Sequence, residues 1–213
     1  MAADRDKLRA ELLEATLGHV PFDGWSLAAF NAAAKDLRLE PAVALNEFPG
    51  GMAEMLDYYH RQADRRMTAE LSRSDLAAMK IRDRIALAVR TRLEQNARHR
   101  EAIRQALAFL AMPHNAPLGA RCLYRTVDAI WYAAGDTSTD FNFYSKRGLL
   151  AGVYGATVLF WLNDKSDGFV ETWAFLDRRI ADVMRIQRLR GRFEKLAEKL
   201  PDPFRMLRGM ARR

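Results

Sequence analysis

The chain holds a single cysteine, Cys122, among 213 residues. One thiol closes no intramolecular disulfide and argues against a cysteine-based metal site, which fits a reducing compartment. Glycine (12) and proline (7) are scarce, and no alternating β-branched run bounded by turn residues occurs, so nothing reads as strand. The opening stretch MAADRDKLRAELLEAT lacks the apolar core of a signal peptide. Its Asp4, Asp6, Glu11 and Glu14 are too acidic for a transit peptide, so a cytoplasmic location is expected. The longest apolar run, GLLAGVYGATVLFWL at 148–162, is shorter than the roughly 20 residues a spanning helix needs.

Catalytic patterns are missing too. His19, His60, His99 and His114 form no HExxH and no paired Glu-x-x-His for a di-iron site. GxxxxGK[ST], GxGxxG and GxSxG are absent. Asp57-x-x-His60 is a lone carboxylate–histidine pair, read as structural. Cys122 has Arg121 and Arg125 nearby to favour a thiolate, yet a buried apolar thiol is the commoner case. The expectation is a non-enzyme with no cofactor and no metal.

Helical periodicity is what the chain does have. Leu8, Leu12, Leu13 and Leu17 mark a first helix expected to end near Gly18. Ser26 is the expected cap of a second, which Leu27, Phe30 and Ala34 begin. Pro41 opens a short third helix, Pro49-Gly50-Gly51 breaks it, and Met52, Met55, Leu56, Tyr59 and Ala63 carry a fourth. Further helices are expected at about 72–96, 99–112, 118–134, 139–163 and 168–188, with a last segment set apart by Gly191, Pro201 and Pro203. The fold class is all-α. The expected divisions are a small unit at 1–60, a larger helical bundle at 61–188 and a tail at 189–213.

Charge is unevenly spread. Residues 178–213 hold twelve Lys/Arg against four Asp/Glu, whereas residues 1–177 are close to neutral. The net +7 is therefore a C-terminal property and argues for a local anionic partner.

LLEATLGHV, LAAFNAAAKDLRLEPAVALNEF and GGMAEMLDYY resemble the helix-turn-helix module of TetR-family repressors. Phe48 and Gly50-Gly51-Met52 fall where that family's pattern places them. Charge opposes the function that this resemblance implies. Residues 1–57 hold five Lys/Arg against ten Asp/Glu, and the segment Glu40–Glu47 has no cation. Groove reading needs cations for phosphate and donors for base edges, and only Asn46 could read a base. The family's tight-turn glycine is replaced by Arg38. The scaffold is expected without nucleic-acid binding.

In the apolar run, Gly148, Gly152 and Gly155 share one helix face, while Leu149, Val153 and Phe160 stand among the residues on the others. Each glycine costs roughly 1 kcal/mol against alanine in a helix, so something is expected to approach closely. Two readings stand: tight helix packing, or the wall of an apolar cavity for a long, thin ligand. Gly148, Gly152, Gly155, Leu149, Val153, Tyr154 and Phe160 are the candidate lipid-binding residues. Upstream, Thr137 and Asp140 read as the capping pair of this helix.

MPHNAP (112–117), VDAIWYAAGDTSTDFNFYSKRGLLAGVY (127–154) and ETWAFLDRRIADVM (171–184) resemble the lipid-binding accessory family of ubiquinone biosynthesis, that of the ninth coenzyme Q biosynthesis protein. The resemblance implies a TetR-like fold without DNA binding and an apolar pocket for an isoprenoid quinone precursor or a phospholipid. It implies membrane association through a C-terminal amphipathic helix, and as partner the di-iron hydroxylase acting late on ubiquinone precursors, or another hydroxylase of that pathway. The family's partner-binding patch maps to Asp128, Trp131 and Tyr132. Trp and Tyr suit hot spots because they bury large area with a polar handle; from periodicity alone, a core role for both is the alternative.

The tail carries a stripe of Leu189, Phe193, Leu196 and Leu200, with Arg192, Lys195 and Lys199 mostly off it; Phe204 and Leu207 continue on a second short helix. This is the pattern of an interfacial helix, each cation adding about 1 kcal/mol near an anionic leaflet. A helix packed on its own domain or on a second subunit is the alternative. The combined expectation is a cytoplasmic, homodimeric protein held peripherally on the inner membrane that presents a lipid to a hydroxylase. A TetR-type ligand-responsive repressor is the competing reading.

Overall fold

The computed structural model describes residues 2–136 and 141–199, with side chains from 4 to 136 and from 144 to 185. Among these residues there is no strand, as the sequence predicts. The helices are α1 (Ala2–Asp23), α2 (Leu27–Asp36), α3 (Pro41–Glu47), α4 (Gly51–Leu71), α5 (Ile81–Glu94), α6 (Arg100–Ala111), α7 (Ala116–Ala133), α8 (Phe141–Asn163) and α9 (Val170–Lys199). No helix among the described residues is long and apolar enough to cross a membrane.

Helices α1–α3 form the helix-turn-helix-like unit. Ser26 caps α2 by accepting from the Ala29 amide, as its position predicts. After α2 the chain turns through Arg38 at φ 55°, in the left-handed region, and the Leu39 amide returns to the Ala34 carbonyl. α1 runs past Gly18, where its end was expected. Leu17 and Val20 both enter the core beside Leu12 and Leu13, so continued burial overrides a weak glycine stop.

One core joins α1–α4 to α6 around Phe30, Phe48, Tyr59 and Trp25, whose indole donates to the Ala102 carbonyl at 2.9 Å. A second joins the end of α4 to α5, α7, α8 and α9 around Met67, Ile130, Trp161 and Leu176. The helix expected at about 72–96 begins only at Ile81. Residues 72–80 turn around Arg84, which donates to the carbonyls of Met79, Ala77 and Ala134. Gly135, at φ 86°, closes α7 against this guanidinium: a Cβ there would lie 3.1 Å from Arg84 Nη1. α9 continues through Gly191, so that glycine does not end the helix.

Candidate functional site

The two cores do not close fully on each other. Between them lies a cavity of about 360 Å³, within the range of small-molecule sites. Tyr59, Ala106 and Leu110 come to it from the first core, and Leu93, Tyr154 and Val158 from the second. On α6, Ile103, Leu107 and Leu110 fall at i, i+4 and i+7 and give it an aliphatic wall. Leu159 lines the cavity and is also 59% exposed, marking where it meets solvent.

Its polar wall is internally satisfied in large part. Arg92 Nε and the Thr126 hydroxyl both donate to Asp64 Oδ1 at 2.9 Å, and the Tyr59 hydroxyl donates to Asn96 Oδ1 at 3.0 Å. Burial alone would lower the Arg92 pKa, but the Asp64 carboxylate that accepts its hydrogen bond opposes this, and the pKa is held above its ordinary value. Burial, opposed by Arg92 and Arg66, pushes the Tyr59 phenol up to about 12.

Asp57 and His60, adjacent on one helix face, do not work as a pair. Burial raises the Asp57 pKa, but the hydrogen bond and charge of Arg125, with Arg61 and Arg121, outweigh it and hold the carboxyl low. His60 lines the cavity instead. Burial first, then the charges of Arg92 and Arg125, bring its pKa down to about 3 against the pull of Asp57. Cys122 is buried at the cavity wall with its thiol 3.7 Å from Asp57 Oδ1; burial pushes its pKa up to about 11, with Arg125 opposing. That is the reverse of an activated nucleophile. Among the described residues no group of three His, Cys, Asp or Glu could hold a metal ion.

Of the seven candidate lipid-binding residues, Tyr154 and Gly155 line the cavity. Val153 is buried in the second core, Leu149 is half-buried, and Gly148 and Gly152 are exposed. Phe160 stacks on Phe175 of α9, ring centroids 4.6 Å apart. A Cβ at Gly148, Gly152 or Gly155 would meet nothing within 4 Å, so no described residue makes the close approach expected along this face. Periodicity on α8 alone missed the walls supplied by α4, α5 and α6. The Ile103-Leu107-Leu110 stripe was the available signal.

The candidate partner patch is split by its surroundings. Tyr132 is 79% exposed. Trp131 is half-buried against the second core, and its indole donates to the Lys146 carbonyl at 3.3 Å. Asp128 accepts from Arg147 Nε at 2.7 Å and stays partly exposed. The capping residues Thr137 and Asp140 lie outside the described residues. So do Leu200, Phe204 and Leu207, and the side chains of Leu189, Arg192, Phe193, Lys195, Leu196 and Lys199.

Known proteins resemble this chain. Residues 116–187 match the COQ9 family model. Ubiquinone biosynthesis protein COQ9, mitochondrial, of Bos taurus is 35% identical over 186 residues, covering 84% of this chain and 58% of that protein. The Homo sapiens protein of that name is 34% identical with the same coverages, and the Drosophila melanogaster one 32% identical, covering 89% of this chain and 59% of its own length. The chain thus spans less than two thirds of these curated relatives. Among solved structures, the TetR transcriptional regulator from Nitrosomonas europaea ATCC 19718 matches with a TM-score of 0.68 at 20% identity, over 82% of this chain and 97% of that one. At that identity the likeness shows the fold alone.

Proposed function

The chain belongs to the COQ9 family, and from that premise we propose that it serves ubiquinone biosynthesis as a non-catalytic, lipid-binding accessory protein. The observation that carries this reading is the cavity between the two cores, apolar along α6 and α8 and devoid of an activated nucleophile. An isoprenoid tail passes from bilayer to such a cavity at little transfer cost, because both are apolar. The ligand is an isoprenoid quinone precursor, or a phospholipid in its absence. The protein acts as a homodimer, held peripherally on the inner membrane by the basic stripe of the tail. It presents its ligand to a ubiquinone-pathway hydroxylase that docks on Asp128, Trp131 and Tyr132.

The repressor reading is disfavoured by what the N-terminal cations do. Arg5 pairs with Glu47 at 3.0 Å and Arg9 with Glu54 at 2.9 Å, so neither is free for phosphate. The deciding test is organic extraction of purified protein followed by mass spectrometry. Quinone-type lipid or phospholipid at a sizeable fraction of one per chain is expected. Ligand-free protein from a quinone-making host would count heavily against lipid carriage.

A further inference from the structure

Away from the cavity, the flank of α4 that meets the end of α5 carries a second concavity, of about 320 Å³. Arg66, Glu70 and Arg73 fall at i, i+4 and i+7 on α4 and line it from one side, and Arg98, in the turn after α5, lines it from the other. Three guanidiniums thus share the space with one carboxylate, and the lining carries a surplus of positive charge. It has no lining residue in common with the cavity between the two cores.

The three arginines are unequally matched. Arg73 Nη1 meets Glu70 Oε2 at 3.0 Å, and Arg98 Nη2 meets Glu14 Oε1 at 3.0 Å, a carboxylate that His99 also approaches at 3.4 Å. Both arginine pairs are exposed, and exposed pairs of this kind contribute little and rearrange readily. Arg66 is open to solvent and has no carboxylate at ion-pair distance among the described residues. Its Nη2 donates to Asn96 Oδ1 at 3.0 Å, a neutral oxygen that the Tyr59 hydroxyl already uses. Burial, joined by the charges of Arg92 and Arg98 and opposed by Tyr59 and Glu14, lowers its pKa. Positive charge is crowded around Arg66, and an anion placed there would relieve it.

A guanidinium presents a planar fork of N–H donors that fits two oxygens of a phosphate, through charge-assisted bonds. Three forks around one concavity can hold a tetrahedral group from several sides, which a planar carboxylate cannot exploit. A phosphomonoester brings close to two negative charges, matching the surplus of the lining. No aromatic side chain lines the space, so a nucleobase would have nothing to stack on.

We infer that this concavity binds a phosphomonoester, held by Arg66 together with Arg73 and Arg98. The group is carried by a small soluble molecule or by a lipid headgroup of the phosphatidic acid type. The inference stands apart from the lipid-binding reading of the cavity and does not depend on it.

The test titrates glycerol 1-phosphate, and malonate as a dicarboxylate control, calorimetrically into the full-length chain at low ionic strength, then into Arg66→Gln and into the double variant Arg73→Ala/Arg98→Ala. Glycerol 1-phosphate is expected to bind more tightly than malonate and to lose roughly tenfold in affinity in Arg66→Gln, as for one charge-assisted bond, and at least as much in the double variant. Flotation with phosphatidylcholine vesicles containing phosphatidic acid then names the source, because the basic tail is the same in every variant. Weaker flotation of Arg66→Gln assigns the phosphate to a lipid headgroup. Unchanged flotation beside lost glycerol 1-phosphate binding assigns it to a soluble molecule. Absence of glycerol 1-phosphate binding, equal affinity in wild type and Arg66→Gln, or malonate bound as tightly as the phosphate overturns the site. Should the variants not fold, the arginine Nε–Hε NMR signals of the wild-type chain decide. Glycerol 1-phosphate shifts those of Arg66, Arg73 and Arg98 and leaves those of Arg5 and Arg9 in place if the site exists, and a uniform shift or none overturns it.

Discussion

Arg92 Nε donates to Asp64 Oδ1 at 2.9 Å with the two side chains only 3% and 7% exposed. A buried pair gains little over a well-packed apolar pair, but removing one partner strands a charge. Asp64→Ala is therefore expected to lose about 3–5 kcal/mol of stability, measured as a fall in the urea midpoint. The double replacement by leucine should cost much less than Asp64→Ala. A double variant as unstable as the single one would show that the pair is worth more than its desolvation.

Asp164 sits between α8 and α9 and accepts from the Ser166 amide and hydroxyl and from the Thr172 amide and hydroxyl. Burial alone would raise its pKa, yet these bonds bring it down to about 2. A carboxyl lowered on folding stabilises the fold above its unfolded pKa, and this contribution fades as pH falls through the folded one. Thermal stability should decline between about pH 4 and pH 2, and Asp164→Asn should flatten that limb. A limb of equal slope in the variant would assign it to other carboxylates.

Arg38 holds a left-handed φ of 55° where glycine is the unstrained choice. Arg38→Gly is expected to stabilise the chain by about 0.5–1 kcal/mol, relief of strain outweighing the added entropy of the unfolded state. Chemical denaturation would read this directly, and a loss of stability would mean that the Arg38 side chain makes a contribution its conformation conceals.

Cys122 gives the cavity a chemical probe. With its pKa pushed up to about 11, reaction with an apolar maleimide should be slow at neutral pH and quicken as pH rises. Filling the cavity should slow it further, because the thiol lies on the wall. Equal labelling rates with and without saturating farnesol would remove the ligand from this space.

Tyr132 and Trp131 should separate docking from folding. Tyr132→Ala, at a largely exposed position, is expected to change stability by less than about 0.5 kcal/mol while weakening hydroxylase capture tenfold or more. Trp131→Ala should cost about 2 kcal/mol of stability as well, because its ring packs on the second core. Unimpaired capture by Tyr132→Ala would place the docking surface elsewhere.

The N-terminal unit was legible because its signals are local: the Ser26 cap, the Pro41 start and the break at Gly50 each act within a turn. The end of α1 was not, since only the tertiary burial of Val20 carries it past Gly18. The break at 72–80 likewise depends on Arg84 reaching Ala134, fifty residues away. The cavity was half legible. Tyr154 and Gly155 could be picked from the apolar run, whereas His60 and Arg92 meet there only through the crossing of α4 and α5. The glycines of α8 drew notice through composition, yet exposure at Gly148 and Gly152, not close packing, is their structural setting.

α9 is one continuous helix of 30 residues, about 45 Å long, whose first half is built into the second core through Leu176 and Ile180. Its far half therefore inherits an azimuth as well as a distance. Each residue added to the helix turns everything beyond it by about 100° and advances it by about 1.5 Å. An insertion of two residues would swing the distal face almost to the far side, while one of seven would nearly restore it a full two turns further out. The direction in which the cavity mouth looks, relative to whatever the distal face lies upon, is thus written in the residue count of α9.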